Sequence, residues 1–153
     1  MAKVSVCGNF TTSADQVWSL IGKFGGIANW HPAVKKSNLT PDGAYRQLGL
    51  VGGGAVIDRL VSHDDVRRIY RYFSIDSPLP VAEYSGMVSV EVGKGGTGSI
   101  VELSAEFVPA GFSEADSASV VRSVCEAGIE NLKIIFGEKK VSIRQDKSGV
   151  LES

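Results

Sequence analysis

Towards the C-terminal end of the chain, apolar residues recur at steps of three and four: Val121, Val124, Cys125, Gly128, Ile129, Leu132, Ile135 and Phe136. These steps place them on one side of a helix, and Arg122, Glu126, Glu130 and Lys133 wet the other side. The pattern predicts one long helix from Ser113 to about Glu138, with Ser113 as its N-cap and the charge of Asp116 suited to the helix dipole. Upstream the period shortens to two. Strands are predicted over 4–10, 33–39, 45–51, 55–62, 66–75, 82–92 and 99–108. Turn chemistry separates them at Thr40-Pro41-Asp42-Gly43, Gly52-Gly53-Gly54, His63-Asp64-Asp65, Asp76 to Pro80, and Lys94 to Gly98. Between the first two strands, Val17, Trp18, Ile21 and Phe24 follow the N-cap candidates Thr12 and Ser13 at helical steps. They predict a short helix over 14–23, and 27–30 adds a further turn before His31-Pro32 breaks it. The fold class is therefore α+β: a seven-stranded antiparallel sheet curved around the long helix, with two short helices between strands one and two.

Composition narrows the function without naming it. The chain has 153 residues, which suits one domain over 1–140, followed by a polar tail, 141–153, expected to be disordered. A formal net charge of −1 gives no electrostatic footprint for nucleic acid or for an anionic membrane surface. With no apolar stretch near the length of a membrane span and no signal-peptide core, the expectation is a cytoplasmic protein without stable membrane insertion, monomeric or homodimeric. Cys7 and Cys125 stand where small buried hydrophobes belong; reduced, buried thiols are expected, with a disulfide between them left open. Neither a Cys/His metal spacing nor a Ser-His-Asp order is present, and the glycines of 93–98 lack the phosphate-loop order, so no metal and no cofactor is expected.

Particular residues stand at the joints of this element order: Val17-Trp18, Phe24-Gly25-Gly26, Trp30-His31-Pro32, Asp58-Arg59-Leu60, the Leu79-Pro80 to Tyr84 segment, Phe107 with Pro109, and Gly128 to Leu132. Together they resemble the SRPBCC helix-grip superfamily of START lipid-transfer domains, the birch pollen allergen and, more distantly, the plant abscisic acid receptors. The closest resemblance is to the bacterial polyketide cyclase/dehydrase family. It implies a ligand cavity between sheet and long helix. Carried over by position, His31 matches a ligand-anchoring lysine of the hormone receptors, Asp58 a cavity glutamate and Tyr84 a cavity tyrosine. The sequence departs from the receptors at Gly52 to Gly54, which is shorter than their gating loop, and at Pro80-Val81, which replaces their latch.

Strand parity bears on the same residues. Asp58 faces inward with Val56 and Leu60, or outward, since Ile57 and Val61 on the other parity are equally apolar. Arg46 shares parity with Leu48 and Leu50, as an internal countercharge to Asp58 or as a surface arginine on an edge. His31 is read as an acid/base group at the cavity mouth or as a helix-end cap, whereas His63 is expected in an exposed polar turn. Tyr84 offers a phenol to a ligand carbonyl or only fills space. The ligand-binding set is His31, Arg46, Asp58, Tyr72, Tyr84, Val124 and Gly128, and His31, Asp58 and Tyr84 are the catalytic candidates. The expected function is a carrier or sensor of a small hydrophobic ligand, polyketide-like, lipid or aromatic. The alternatives are a cyclase/dehydratase-type enzyme and a ligand-gated interaction module.

Overall fold

The computed structural model describes residues 1–137 of the chain. The expected tail, 141–153, lies outside the described residues. Seven strands form one antiparallel sheet: β1 (Ala2–Phe10), β2 (Val34–Leu39), β3 (Tyr45–Leu50), β4 (Ala55–Asp64), β5 (Ile69–Asp76), β6 (Val81–Val92) and β7 (Ser99–Pro109). They lie in the order β1-β7-β6-β5-β4-β3-β2, so consecutive strands from β2 onward are neighbours and β1 closes against β7. Helix α1 (Ala14–Ile21) and a 3₁₀ segment, Phe24–Asn29, carry the chain from β1 at one edge to β2 at the other. The second helix, α2 (Glu114–Ile135), starts where expected, with the Ser113 hydroxyl accepting a hydrogen bond from the Asp116 amide at 3.1 Å.

Helix α2 lies over the β1–β7 side of the sheet, and side-chain size explains why. Gly8 faces it with no side chain: a Cβ there would stand 2.7 Å from Ile129 Cγ2. Phe10 meets Phe136 edge to face at 6.2 Å. Val121, Ile129 and Leu132 are fully buried against this half. The stripe starts a turn earlier than its apolar residues suggest, because buried Ser117 gives its hydroxyl to the Pro80 carbonyl at 2.9 Å. Near its end Ile135 is exposed, while Phe136 still packs against the core. Over β3 to β6 the helix presents only its flank, and that half of the inner face is left concave.

Three details differ from the sequence-based expectation. Strand β4 runs on through His63 and Asp64, so the turn falls at 65–68 and β5 starts at Ile69. His63 is consequently tied down, its Nε2 2.7 Å from the Gly22 carbonyl and its ring stacked on Tyr70. Cys7 has the opposite parity to Val4 and Phe10 and faces solvent, while Cys125 is buried; both thiols are free. Among the described residues, no helix is long and apolar enough to cross a membrane.

Candidate functional site

The concave half of the sheet encloses a cavity of about 250 Å³ against the flank of α2. Its wall is mostly apolar, with Leu48, Val56, Val88 and Leu103 from the sheet and Val124 and Cys125 from the helix. The lining residues Ala33 and Val51 are exposed and Ser77 and Leu79 half-buried, which puts the mouth between the start of β2, the β3–β4 turn and the β5–β6 loop.

Asp58 and Arg46 are both inside. The β3–β4 hairpin places them directly opposite each other, and Arg46 Nε donates to Asp58 Oδ2 at 2.9 Å. Arg46 is 1 % and Asp58 2 % exposed, so burial of either charge alone would be costly and each is the other's countercharge. Arg46 is further held by the Phe24 carbonyl at 3.0 Å and the Tyr70 hydroxyl at 3.2 Å through Nη1. Its guanidinium lies over the rings of Phe24 and Tyr72, 4.4 Å and 4.7 Å from their centroids. Burial works against its charge, but Tyr70, Asp58 and Tyr72 outweigh it and raise its pKa further. The second carboxylate oxygen, Asp58 Oδ1, is buried and has no hydrogen-bond partner among the described residues.

His31 also lines the cavity, but not as a free acid or base. Its Nε2 stands 2.8 Å from the Val124 carbonyl, which can only accept, and its Nδ1 is 3.2 Å from the Ala33 amide, which can only donate. The ring is therefore neutral, with its proton on Nε2, and both nitrogens are used. Burial lowers its pKa below the ordinary 6.5, opposed by the bond to Val124 and aided to a lesser degree by Arg46. Through these two bonds His31 pins the start of β2 to α2. Gly128 stands behind this contact. It is not in the cavity wall; it lets His31 and Trp30 approach the helix, since a Cβ there would stand 3.1 Å from His31 Cδ2 and 3.2 Å from Trp30 Cζ3. Asn131 completes this clamp by donating to the Trp30 carbonyl at 2.7 Å.

A depressed histidine pKa has a consequence for stability. The unfolded chain takes up a proton at His31 as pH falls through 6.5 while the folded chain does not, so folding loses stability on the acid side and is insensitive above it. His31→Gln can make both hydrogen bonds without titrating. Unfolding free energies from urea titrations between about pH 7.5 and about pH 5 should fall more steeply for the parent than for His31→Gln, by up to about 1.4 kcal/mol per pH unit. Parallel curves would contradict a buried, neutral His31.

Tyr72 and Tyr84 add two phenols to the wall, with ring centroids 6.3 Å apart, and Ser74, Ser77 and Ser104 also line it. Burial raises both phenol pKa values, well above the ordinary value for Tyr72, so each stays protonated and serves as a hydrogen-bonding group, not a base. Gly86 gives Tyr72 its place: a Cβ on Gly86 would lie 2.1 Å from Tyr72 Cζ. A bulge between Ala82 and Ser85, with Glu83 at φ 50°, re-aims β6 just before Tyr84. Burial pushes the Cys125 thiol up to about 11, which leaves it unreactive. Val124 supplies both cavity surface and the carbonyl that holds His31.

Three residues outside the expected ligand-binding set also belong to the site: Trp30, Phe24 and Tyr70. Trp30 lines the cavity, and its buried indole N–H has no hydrogen-bond partner among the described residues. Tyr70 and Phe24 enclose Arg46. Only the shared parity of Tyr70 and Tyr72 signalled any of this in the sequence. No group of three or more His, Cys, Asp or Glu among the described residues could hold a metal ion.

An antiparallel sheet gripping a C-terminal helix around an internal cavity defines a helix-grip domain. A family model for "polyketide cyclase / dehydrase and lipid transport" matches residues 1–136, and the chain belongs to that family. Solved structures agree. The protein XoxI from Bacillus cereus is 30% identical with a TM-score of 0.87, over 92% of this chain and 99% of that one. An uncharacterised protein from Bacillus thuringiensis is 31% identical with a TM-score of 0.85, over 88% and 98%. A Thermobifida fusca protein is 25% identical with a TM-score of 0.76, over 90% and 95%. No curated protein matches.

Proposed function

We propose that residues 1–140 form one binding domain, a cytosolic carrier or sensor that holds a small, mostly apolar molecule in this cavity and releases it unchanged. The observation that carries the reading is the state of the polar groups in the wall. Arg46 and Asp58 neutralise each other, both nitrogens of His31 are committed to backbone, and the phenols stay protonated. Such a wall orients a ligand and offers little proton traffic. At about 250 Å³ the cavity falls just below the usual range of about 300–1,000 Å³ for small-molecule sites. That favours a compact ring compound over a long-chain lipid.

A cyclase or dehydratase is the second reading, and one observation favours it. Asp58 Oδ1 is an uncommitted carboxylate oxygen that could accept a proton from an acidic carbon, with Tyr84 donating to the developing enolate. One experiment separates the two. The protein is mixed with a small-molecule extract of its host cells and recovered by gel filtration, and the retained molecule is identified by mass spectrometry at once and after prolonged incubation. The expected result is one stoichiometric compound whose mass does not change. Conversion to a second compound, lighter by a lost water or an isomer of equal mass separated by chromatography, would make the protein an enzyme; retention of nothing would defeat the binding reading.

A further inference from the structure

Two buried polar atoms of the cavity residues remain unsatisfied by protein: the acceptor Asp58 Oδ1 and the donor Trp30 Nε1, neither with a hydrogen-bond partner among the described residues. Leaving either dry and unpaired is costly, and the carboxylate is the more demanding of the two. Resting on the proposed binding function, we infer that the cavity selects a neutral ligand carrying a hydroxyl group, whose O–H donates to Asp58 Oδ1.

The charge arrangement gives this selectivity its sign. Arg46 and Asp58 are the charged residues of the wall, and they cancel. A carboxylate ligand would meet the free oxygen of Asp58 and find Arg46 already engaged with Asp58, the Phe24 carbonyl and the Tyr70 hydroxyl. His31 cannot serve it as a cation, because its ring is neutral and fully bonded. An ammonium ligand would face the Arg46 guanidinium across the same carboxylate. Only a neutral donor satisfies Asp58 without adding a net charge to an apolar enclosure.

Calorimetric titration with a matched set of bicyclic probes tests this: naphthalene, β-naphthol, the methyl ether of β-naphthol, β-naphthoate, and decalol as the aliphatic alcohol. The parent protein should bind β-naphthol about ten- to a hundredfold more tightly than naphthalene, the range for one hydrogen bond to a charged group. The methyl ether, which accepts but cannot donate, should gain little, and β-naphthoate should bind most weakly. If decalol matches β-naphthol, the hydroxyl alone is read; if only β-naphthol shows the gain, the ligand is a phenol. Either result supports the inference. Because Asp58→Asn leaves Arg46 unpaired and can unfold the chain, the informative variant is Arg46→Met with Asp58→Leu, which fills the same space with apolar atoms. It should lose the preference for the alcohol, binding β-naphthol no more tightly than it binds naphthalene. Equal binding of naphthalene and β-naphthol by the parent, or tightest binding of β-naphthoate, would overturn the hydroxyl inference and leave the apolar binding function standing. Failure of every probe, naphthalene included, would overturn both.

Discussion

Arg46→Met is expected to destabilise the protein by about 3–5 kcal/mol, because it strands the Asp58 carboxylate in an enclosure where nothing else offers it a charge. The loss is larger than that of a surface ion pair, since both side chains are essentially sealed from water and water cannot screen or replace the missing partner. It also removes the bonds to the Phe24 carbonyl and to Tyr70, and with them the link between the 3₁₀ segment and β3. Replacing the whole pair behaves differently. Arg46→Met combined with Asp58→Leu removes both desolvated charges and should be far less damaging than the single change, and near the parent in stability. Urea unfolding of the two variants beside the parent measures this. A double variant as unstable as Arg46→Met would mean that the guanidinium matters for its stacking between Phe24 and Tyr72 and not for its charge.

The second large effect is expected at Gly86. Adding one methyl there places a carbon where the Tyr72 ring now lies, within 2.1 Å of Cζ and 2.4 Å of the hydroxyl oxygen. The ring cannot retreat towards Arg46, Tyr70 or Tyr84, which surround it, so it must swing into the cavity. Gly86→Ala should therefore cost about 1–3 kcal/mol in stability, as overpacking does, and also weaken ligand binding by occupying the volume a ligand needs. A double-mutant cycle identifies the cause: Tyr72→Leu should relieve much of the Gly86→Ala penalty, giving a coupling energy of about 1 kcal/mol or more. Additive costs would show that the methyl is accommodated some other way.

Both effects follow from one sheet half being left uncovered. The Arg46–Asp58 pairing was legible because the β3–β4 hairpin keeps a constant register, so two inward residues on adjacent strands meet directly. Parity alone left Asp58 free to face either way. What decides it is the aromatic enclosure of Arg46 by Phe24, Tyr70 and Tyr72, which come from two separate stretches of chain, the 3₁₀ segment and β5. The engagement of His31 was not legible for a related reason: its partner is the backbone carbonyl of Val124, 93 residues away, and a carbonyl leaves no trace in side-chain identity. Gly128 lay on the right helix face but behind the wall, because the residue it accommodates is His31 and not a ligand. Cys7 was misread as buried although its strand parity set it outside.

By itself the sequence determined the element order, the antiparallel sheet, the capped helix with its buried stripe, and membership of a cavity-forming fold. These depend on periodicity and turn chemistry, which are local and repeat along the chain. Only the tertiary structure decided where the helix lies over the sheet, which half remains concave, and which polar groups in that half are already satisfied. Those outcomes depend on contacts between residues far apart in the chain, Gly8 against Ile129, Gly86 against Tyr72 and His31 against Val124, and in each pair one partner's role is set by what it lacks or by its backbone, which a residue pattern does not display.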